Sequence, residues 1–186
     1  MTDEKKNPWT IKSSKKIYEN NWIRLDEFDV MNPAGKPGIY GIVHFQHLAI
    51  GVLPLDENQN TWLVGQFRIA VNAYSWEMPE GGGKMTDAPL ETAKRELLEE
   101  TGIEAEEWSE LMRSNLSNSC TDELAIMYVA KGLTFHEPEP EETEKLHVMK
   151  LPFQQAYQMV MNGEIMDSMT QLSILKAKIL LEEGKL

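Results

Sequence analysis

A run of three glycines followed by an acidic helical segment is the feature that most restricts how this chain folds. The glycines occupy positions 81–83, and the segment at 88–101 carries apolar residues at the three-and-four spacing of a single helical stripe. These apolar residues are Leu90, Ala93 and Leu97. Asp87 is placed to cap the first turn, and Gly102 suits the left-handed residue that ends many helices. The glycines would let the backbone approach a ligand or adopt positive φ, and a flexible strand-to-helix turn is the alternative. The spacing predicts a helix whose carboxylates lie on faces other than the apolar stripe.

Three glutamates of this helix are spaced so that their side chains meet. Glu99 and Glu100 follow Glu96 by three and four residues, which makes them its neighbours on a helix surface. Like charges at this spacing repel, and Mg²⁺ would relieve the repulsion because it prefers carboxylate oxygens and keeps positions for water and phosphate. The alternative is a solvated helix in which Arg95 pairs with Glu91 and Glu99, its acidic neighbours at four residues on each side.

Short runs of β-branched and aromatic residues surround this segment and predict strands. These runs lie at 22–30, 40–45, 48–55, 61–68 and 124–130. A second helix is predicted at 153–161, and a third begins at Ser168, whose spacing to Gln171 fits a capping box. The third helix has Leu172, Leu175 and Ile179 as its apolar stripe. Strands, a central helix, more strands and two final helices indicate an α+β domain built from layers.

The balance of charge limits the partners of the chain. Thirty acidic residues against eighteen basic ones give a formal net charge of -12, which opposes binding to nucleic acid or to an anionic membrane surface. Cys120 is the only cysteine, so no intrachain disulfide is expected. The sequence has no signal-peptide pattern and no apolar run of transmembrane length, so a cytoplasmic location is expected.

The segment from Gly81 to Ile103 resembles the Nudix box. The matching residues are Gly81, Arg95, Glu96, Leu97, Glu99, Glu100, Gly102 and Ile103, while Asp87 stands where the family usually has glutamate. The resemblance implies the Nudix fold, an α/β/α sandwich with a mixed central sheet, and a Mg²⁺- or Mn²⁺-dependent pyrophosphohydrolase. It also implies that Glu96, Glu99 and Glu100 are metal ligands, with Glu99 a catalytic candidate as well.

Residues outside the box resemble the ADP-ribose and nucleoside-diphosphate-sugar branch of that family. Gln66-Phe67-Arg68 and the segment 76–81 are similar to the strand and loop that precede the box in this branch. The resemblance implies that Arg68 and Glu77 contact the substrate and that the carbonyl of Glu80 is a further metal ligand. The segment 119–123 is similar to a substrate loop of the branch, in which Asp122 and Glu123 contact the substrate. In this chain Cys120 replaces a glycine of that loop, and the proline of that loop is absent.

An acidic loop at 137–144 lies where the branch carries a glutamate that binds metal or activates water. Glu142 and Glu144 are the leading candidates for this role, followed by Glu141; a solvated run of charge is the alternative. The branch further implies an extra N-terminal antiparallel sheet within residues 1–46 that mediates a homodimer. Residues 47–186 would then form the catalytic domain.

The expected function is metal-dependent hydrolysis of the pyrophosphate bond of ADP-ribose or of another nucleoside diphosphate sugar such as GDP-mannose. The products would be a nucleoside monophosphate and a sugar phosphate. Two alternatives stay open, namely a nucleoside triphosphate pyrophosphohydrolase and a non-catalytic Nudix-like domain that senses nucleotides or binds a protein. The motifs do not select the base or the sugar.

Overall fold

A computed structural model describes residues 5–138 and 145–186, which fall into two compact units. The first unit contains the chain up to His47 together with Ser117–Glu123, and the second contains Leu48–Leu116 and Leu124–Leu186. Within the described residues, every helix is too short or too polar to span a membrane.

The first unit is built on an antiparallel sheet of three strands, β1 (Thr10–Glu19), β2 (Ile23–Met31) and β3 (Pro37–Phe45). Asparagine side chains close both of its turns. The Asn20 carboxamide oxygen accepts the backbone N–H of Trp22 and Ile23, and the Asn32 oxygen accepts those of Ala34 and Lys36. The predicted N-terminal antiparallel sheet is therefore present. Its strand β1 was not predicted, because every residue along it is exposed and its sequence is mostly polar.

The segment Ser117–Glu123 lies along β3, although it is inserted in the chain between two strands of the second unit. The Val43 N–H donates to the Cys120 carbonyl at 2.9 Å, and the Asp122 N–H donates to the Val43 carbonyl at 3.3 Å. Val43 and Thr121 consequently form an isolated parallel bridge.

In its described residues, the second unit contains two sheets and three helices. One sheet has the order β7-β4-β9-β8 and the other β10-β5-β6. The strands are β4 (His47–Pro54), β5 (Asn60–Arg68), β6 (Ala73–Glu77), β7 (Glu80–Lys84), β8 (Ile103–Asn115), β9 (Leu124–Phe135) and β10 (His147–Pro152). The helices are α1 (Pro89–Thr101), α2 (Phe153–Met161) and α3 (Ser168–Glu182). Because β4 pairs parallel with β9 and β8 pairs antiparallel with β9, the first of these sheets is mixed, as predicted.

Two hydrophobic cores lie on opposite faces of these strands. Ile50 and Val52 of β4 pack in the same core as Leu97 of α1, whereas Leu53 of β4 belongs to the core that contains Ile174 of α3. Side chains that alternate along a strand point to opposite faces, so α1 covers one face and α2 with α3 the other. This arrangement confirms the predicted α/β/α sandwich.

The first helix begins one residue later than predicted, and its N-cap is one residue after the predicted cap. Ala88 occupies the N-cap with φ −68° and ψ 123°, and no side chain caps the helix; Asp87 instead accepts a hydrogen bond from the Thr86 hydroxyl. The predicted cap at Asp87 is therefore wrong, because a residue before proline is held extended, and Pro89 makes Ala88 that residue. Gly102 ends the helix in the left-handed region at φ 69°, as predicted.

The carboxylates of α1 are not confined to exposed faces. Glu96 and Glu100 are 9% and 2% exposed, beside the buried Ala93 and Leu97. Positions 93, 96, 97 and 100 share one helix face by the same three-and-four spacing, so the expectation that the carboxylates avoid this face is wrong.

The glycine run forms part of strand β7, so the alternative of a flexible strand-to-helix turn is wrong. A Cβ at Gly81 would overlap the carboxyl group of Glu96, and a Cβ at Gly83 would lie 2.9 Å from the Thr92 hydroxyl oxygen. The physical reason for glycine here is the close approach of the strand to α1.

The third helix differs from its prediction in both cap and buried face. Asp167 is the N-cap and accepts the Thr170 N–H, so Ser168 is the first helical residue and not the cap. Ile174 is fully buried, whereas Leu175 and Ile179 are 37% and 56% exposed. The predicted stripe is wrong at Leu175 and Ile179, although Leu172 packs against the core. The buried face also carries small and polar residues, which a hydropathy pattern does not detect. These include Thr170, Ser173 and Ala177.

Candidate active site

The segment 77–80 joins β6 to β7 and carries the first two acidic residues of the site. Glu77 is 3% exposed, and its carboxylate accepts hydrogen bonds from Arg68 Nε at 2.9 Å and from Arg68 Nη2 at 2.6 Å. Gln66 Nε2 adds a third donor at 3.2 Å. Residues two apart on a strand share a face, so β5 directs Gln66 and Arg68 at the same carboxylate.

Arg68 and Glu80 connect this carboxylate to helix α1. Arg68 Nη2 lies 3.2 Å from Glu80 Oε1, and the Glu80 backbone N–H donates to Glu100 Oε2 at 3.0 Å. Arg68, Glu77, Glu80 and Glu100 therefore form one hydrogen-bonded network that ties the segment before the box to the helix of the box.

Negative charge is concentrated in this network. Burial, followed by the carboxylates of Asp167 and Glu77, raises the pKa of Glu80 well above its usual value, although Arg68 opposes the shift. The hydrogen bond to Glu77 holds the pKa of Arg68 above its usual value, so Arg68 stays a cation. Among the described residues, Glu80 Oε2 is a buried oxygen with no hydrogen-bond partner. A cation brought to this region would offset charge that Arg68 alone leaves uncompensated.

A second cluster forms around Arg95 on the same helix. Its Nη2 lies 2.5 Å from Glu96 Oε1 and its Nη1 lies 2.5 Å from Glu99 Oε2. Burial opposes the charge of Arg95, but the two carboxylates raise its pKa overall. Arg95 pairs with Glu99 four residues ahead, as expected. Glu91 pairs with Lys94 and not with Arg95.

The carboxylate oxygens of these two clusters are the type of ligand that a hard divalent cation prefers. Glu96, Glu99 and Glu100 supply carboxylate oxygens, which Mg²⁺ and Mn²⁺ prefer, and the absence of a side chain at Gly81 leaves room for the Glu96 carboxyl group. In the described part of the chain, no three His, Cys, Asp or Glu side chains are already grouped as a metal-binding set. The arginines currently hold these carboxylates, so cation binding would require Arg95 to release Glu96 or Glu99.

The remaining predicted site residues lie elsewhere. Asp122 belongs to the first unit, where its Oδ2 is 2.6 Å from His44 Nδ1 and its Oδ1 accepts the Phe45 N–H at 2.9 Å. Glu123 follows it, and burial raises the pKa of this side chain. The catalytic candidates Glu141, Glu142 and Glu144 lie outside the described residues.

Sequence reasoning did not assign Gln66 or Arg95 a place in the site. The signal for Gln66 was available, because it shares a strand face with Arg68. The contact of Arg95 with Glu96 was not foreseeable from helical spacing, because adjacent residues on a helix do not face each other.

The fold and the site define a class of protein: an α/β/α sandwich with buried glutamates on one helix, close to an arginine–carboxylate network. Residues 45–171 match the NUDIX domain, and residues 9–43 match the nucleoside diphosphate sugar hydrolase N-terminal domain. The chain belongs to the Nudix family, which confirms the resemblance drawn from its box.

Relatives and a solved structure agree with this assignment. The chain is 30% identical to the methanol dehydrogenase activator of Bacillus methanolicus, over 89% of this chain and 89% of the relative. It is 30% identical to the ADP-ribose pyrophosphatase of Mycobacterium tuberculosis, over 88% of this chain and 80% of the relative. The crystal structure of an ADP compounds hydrolase superposes with a TM-score of 0.84 at 17% identity, covering 96% of this chain and 97% of that one, which supports the fold.

Proposed function

We propose that this Nudix hydrolase cleaves the pyrophosphate bond of ADP-ribose or of another nucleoside diphosphate sugar such as GDP-mannose, releasing a nucleoside monophosphate and a sugar phosphate. The observation that carries the proposal is the network in which Arg68 and Glu77 meet Glu80 and Glu100. This network joins Arg68, whose guanidinium suits a phosphate oxygen, with Glu80 and Glu100, whose oxygens suit a metal ion. The relative named ADP-ribose pyrophosphatase and the match of residues 9–43 support this class of substrate.

The proposed cofactor is Mg²⁺ or Mn²⁺, held by the carboxylates of Glu96, Glu99 and Glu100 and by the carbonyl of Glu80. When bound, such an ion neutralises charge on the pyrophosphate and lowers the pKa of an attacking water. Release of Glu96 or Glu99 by Arg95 would accompany binding. Glu142, Glu144 or Glu141 would accept the proton of the water, with Glu99 as the candidate within the helix.

Arg68 is proposed to bind the substrate without leaving Glu77. Its bonds to Glu77 and Glu80 use Nε and Nη2, and the planar fork of arginine carries further donors on Nη1. We assign Nη1 to a phosphate or ribose oxygen. Glu77 then orients Arg68 and also contacts the substrate, and Asp122 and Glu123 contact the substrate as the resemblance implies.

The proposed assembly is a homodimer formed through the N-terminal sheet, within a first domain of residues 1–46. The support is a set of large apolar side chains that this sheet exposes to water. Ile11, Ile17, Trp22 and Ile39 are 58%, 47%, 63% and 69% exposed. Light scattering after gel filtration should give twice the monomer mass for the wild type. The double variant Ile11→Glu, Ile39→Glu should give a lower mass. A wild-type mass of one chain refutes this part of the proposal.

Hydrolysis is tested with Mg²⁺ and a panel containing ADP-ribose, GDP-mannose and nucleoside triphosphates, with products separated by chromatography. We expect a nucleoside monophosphate from the first two. Glu100→Gln should lower kcat/KM by more than about 100-fold, because loss of a group that only orients a metal ligand already costs about 10- to 100-fold and Glu100 is itself a proposed ligand. Glu91→Gln is the matched control, because Glu91 lies on the same helix with its side chain 66% exposed.

The two rival functions give different results in the same experiment. Release of pyrophosphate from triphosphates, with no cleavage of nucleotide sugars, would identify a triphosphate pyrophosphohydrolase. Absence of hydrolysis across the panel would leave the non-catalytic alternative, whereas full activity in Glu100→Gln would refute the assignment of Glu100 as a metal ligand.

A further inference from the structure

The beginning of α3 is hydrogen-bonded to the segment that precedes the box. The Met78 N–H donates to the Thr170 hydroxyl at 2.8 Å, and that hydroxyl donates to Asp167 Oδ2 at 2.7 Å. Asp167 Oδ2 also accepts the Thr170 N–H at 2.7 Å. The direction of these bonds is fixed, because a backbone N–H can only donate, which leaves the hydroxyl hydrogen for the carboxylate.

Thr170 is the hydrogen-bond partner of a backbone group buried away from water. Thr170 and Met78 are both fully buried. A buried N–H that loses its acceptor carries a desolvation penalty, so the segment has a strong preference for the position in which this bond forms.

The segment 77–80 has no long run of regular structure of its own, and different elements hold each of its residues. β5 binds Glu77 through Arg68, α3 binds Met78 through Thr170, β4 binds the Pro79 carbonyl through the Val52 N–H at 2.8 Å, and α1 binds Glu80. The contact from α3 therefore acts two residues before the proposed metal ligand Glu80.

Side-chain packing reinforces the hydrogen bond. A Cβ at Gly51 would lie 2.9 Å from the sulfur of Met78 and 2.9 Å from the terminal methyl group of Met169. Met78 is thus packed between β4 and the first turn of α3. A shift of α3 would move Met78 directly, and Glu80 with it.

We propose that Asp167 and Thr170 are positioning residues, which hold the segment 77–80 in the conformation that binds the metal and the pyrophosphate. Both lie outside the box, Asp167 at the N-cap of α3 and Thr170 in its first turn. This inference rests on the proposed function, since it concerns the same site. Neither residue is assigned a contact with the substrate.

The test is Mn²⁺ binding to the protein without substrate, followed by electron paramagnetic resonance. Thr170→Val keeps the shape of the side chain and removes both hydrogen bonds of the hydroxyl. We expect it to weaken Mn²⁺ binding about 10-fold or more, the range found when groups that orient metal ligands are lost. Asp167→Ala should act in the same direction, and Thr170→Ser should restore binding because it keeps the hydroxyl.

Ala177→Gly is the control for a general loss of helix stability. Ala177 is fully buried in α3 and lies two turns beyond Thr170, so the variant should lower the melting temperature while keeping Mn²⁺ affinity. Wild-type Mn²⁺ affinity in Thr170→Val, or equal weakening in Ala177→Gly, overturns the inference. Because Mn²⁺ binding needs no substrate, absence of hydrolysis by the wild type would count against the proposed function alone.

Discussion

At the scale of single residues, Gly81 is a position of the box where an added side chain would meet a proposed metal ligand. A Cβ built on it would overlap the carboxyl group of Glu96. That group is the end of a flexible side chain and not backbone, so it can move aside without unfolding the strand. A side chain at position 81 should therefore disturb the proposed metal ligand much more than the fold.

Gly81→Ala should lower kcat/KM about 10- to 100-fold, the cost typical of displacing groups that order a metal site. Its free energy of unfolding should change by less than about 1 kcal/mol, since the strand accepts alanine. Initial rates with ADP-ribose and urea denaturation measure the two effects. Gly41→Ala is the control, because a Cβ there has no atom within 4 Å. Wild-type activity in Gly81→Ala would show that Glu96 does not need its present position.

The residues of the site differ in how far the sequence predicted them. Arg68, Glu77 and Glu80 were found by motif, and the structure adds that they are bonded to one another. The bond from the Glu80 N–H to Glu100 was not predictable, because it joins positions 20 residues apart through tertiary packing. Thr170 was missed for the same reason, since its partner Met78 is 92 residues away.

At the scale of elements, helices and apolar strands were predicted better than polar strands. Local spacing and terminating glycine identified α1, and α2 has its predicted bounds. β8 was missed because seven of its thirteen positions are exposed and five of these are charged, and its pairing with β9 is what makes it a strand. Pairing between distant segments has no local sequence signal, so such strands escape pattern analysis.

The buried face of α3 can be tested with two identical substitutions. Ile174→Ala should lower the free energy of unfolding by about 2–5 kcal/mol, because it removes a fully buried side chain. Ile179→Ala, at a position 56% exposed, should change it by no more than about 0.5 kcal/mol. The change in helix propensity is the same for both, so urea denaturation isolates burial. Equal losses of unfolding free energy in the two variants would support the stripe predicted from hydropathy, which includes Ile179.

The segment Ser117–Glu123 depends on Asp122 for its position on β3. Its carboxylate contacts both His44 and the Phe45 N–H, next to the bond from the Val43 N–H to Cys120. Asp122→Ala should speed hydrogen exchange of the Val43 amide about 10-fold, as expected for loss of about 1.4 kcal/mol of local stability. The Asn20 amide, in the turn between β1 and β2, is the internal control. An unchanged Val43 rate would mean that backbone bonds alone hold the segment.

At the scale of the whole molecule, acidic residues govern how stability changes with pH. The formal charge of -12 at pH 7 falls towards zero near the isoelectric point of about 4.8, which relieves repulsion among carboxylates. Specific carboxylates that are better bound in the folded state oppose this trend at lower pH. The two effects act in different pH ranges, so the contribution of one well-placed carboxylate to stability can be measured apart from that of the overall charge.

Asp56, in the turn between β4 and β5, is that carboxylate. Burial alone would raise its pKa, but hydrogen bonds from Asn60, Lys150 and Asn58 lower the pKa to about 2, against 3.8 for an ordinary aspartate. Because the folded pKa is the lower one, the carboxylate stabilises the fold above pH 3.8, and this stabilisation is lost as pH falls from 3.8 to about 2. The difference in pKa corresponds to about 2 kcal/mol.

Asp56→Asn should therefore be about 2 kcal/mol less stable than the wild type at pH 7, with the gap narrowing between pH 4 and pH 2. Urea denaturation at pH 7, 4 and 3 measures it. Glu57→Gln, an exposed neighbour, removes the same charge without these hydrogen bonds and should show almost no gap at any pH. A gap in Asp56→Asn that stays constant with pH would mean that shape and packing of the turn, and not the ionised carboxylate, hold β4 and β5 to Lys150 of β10.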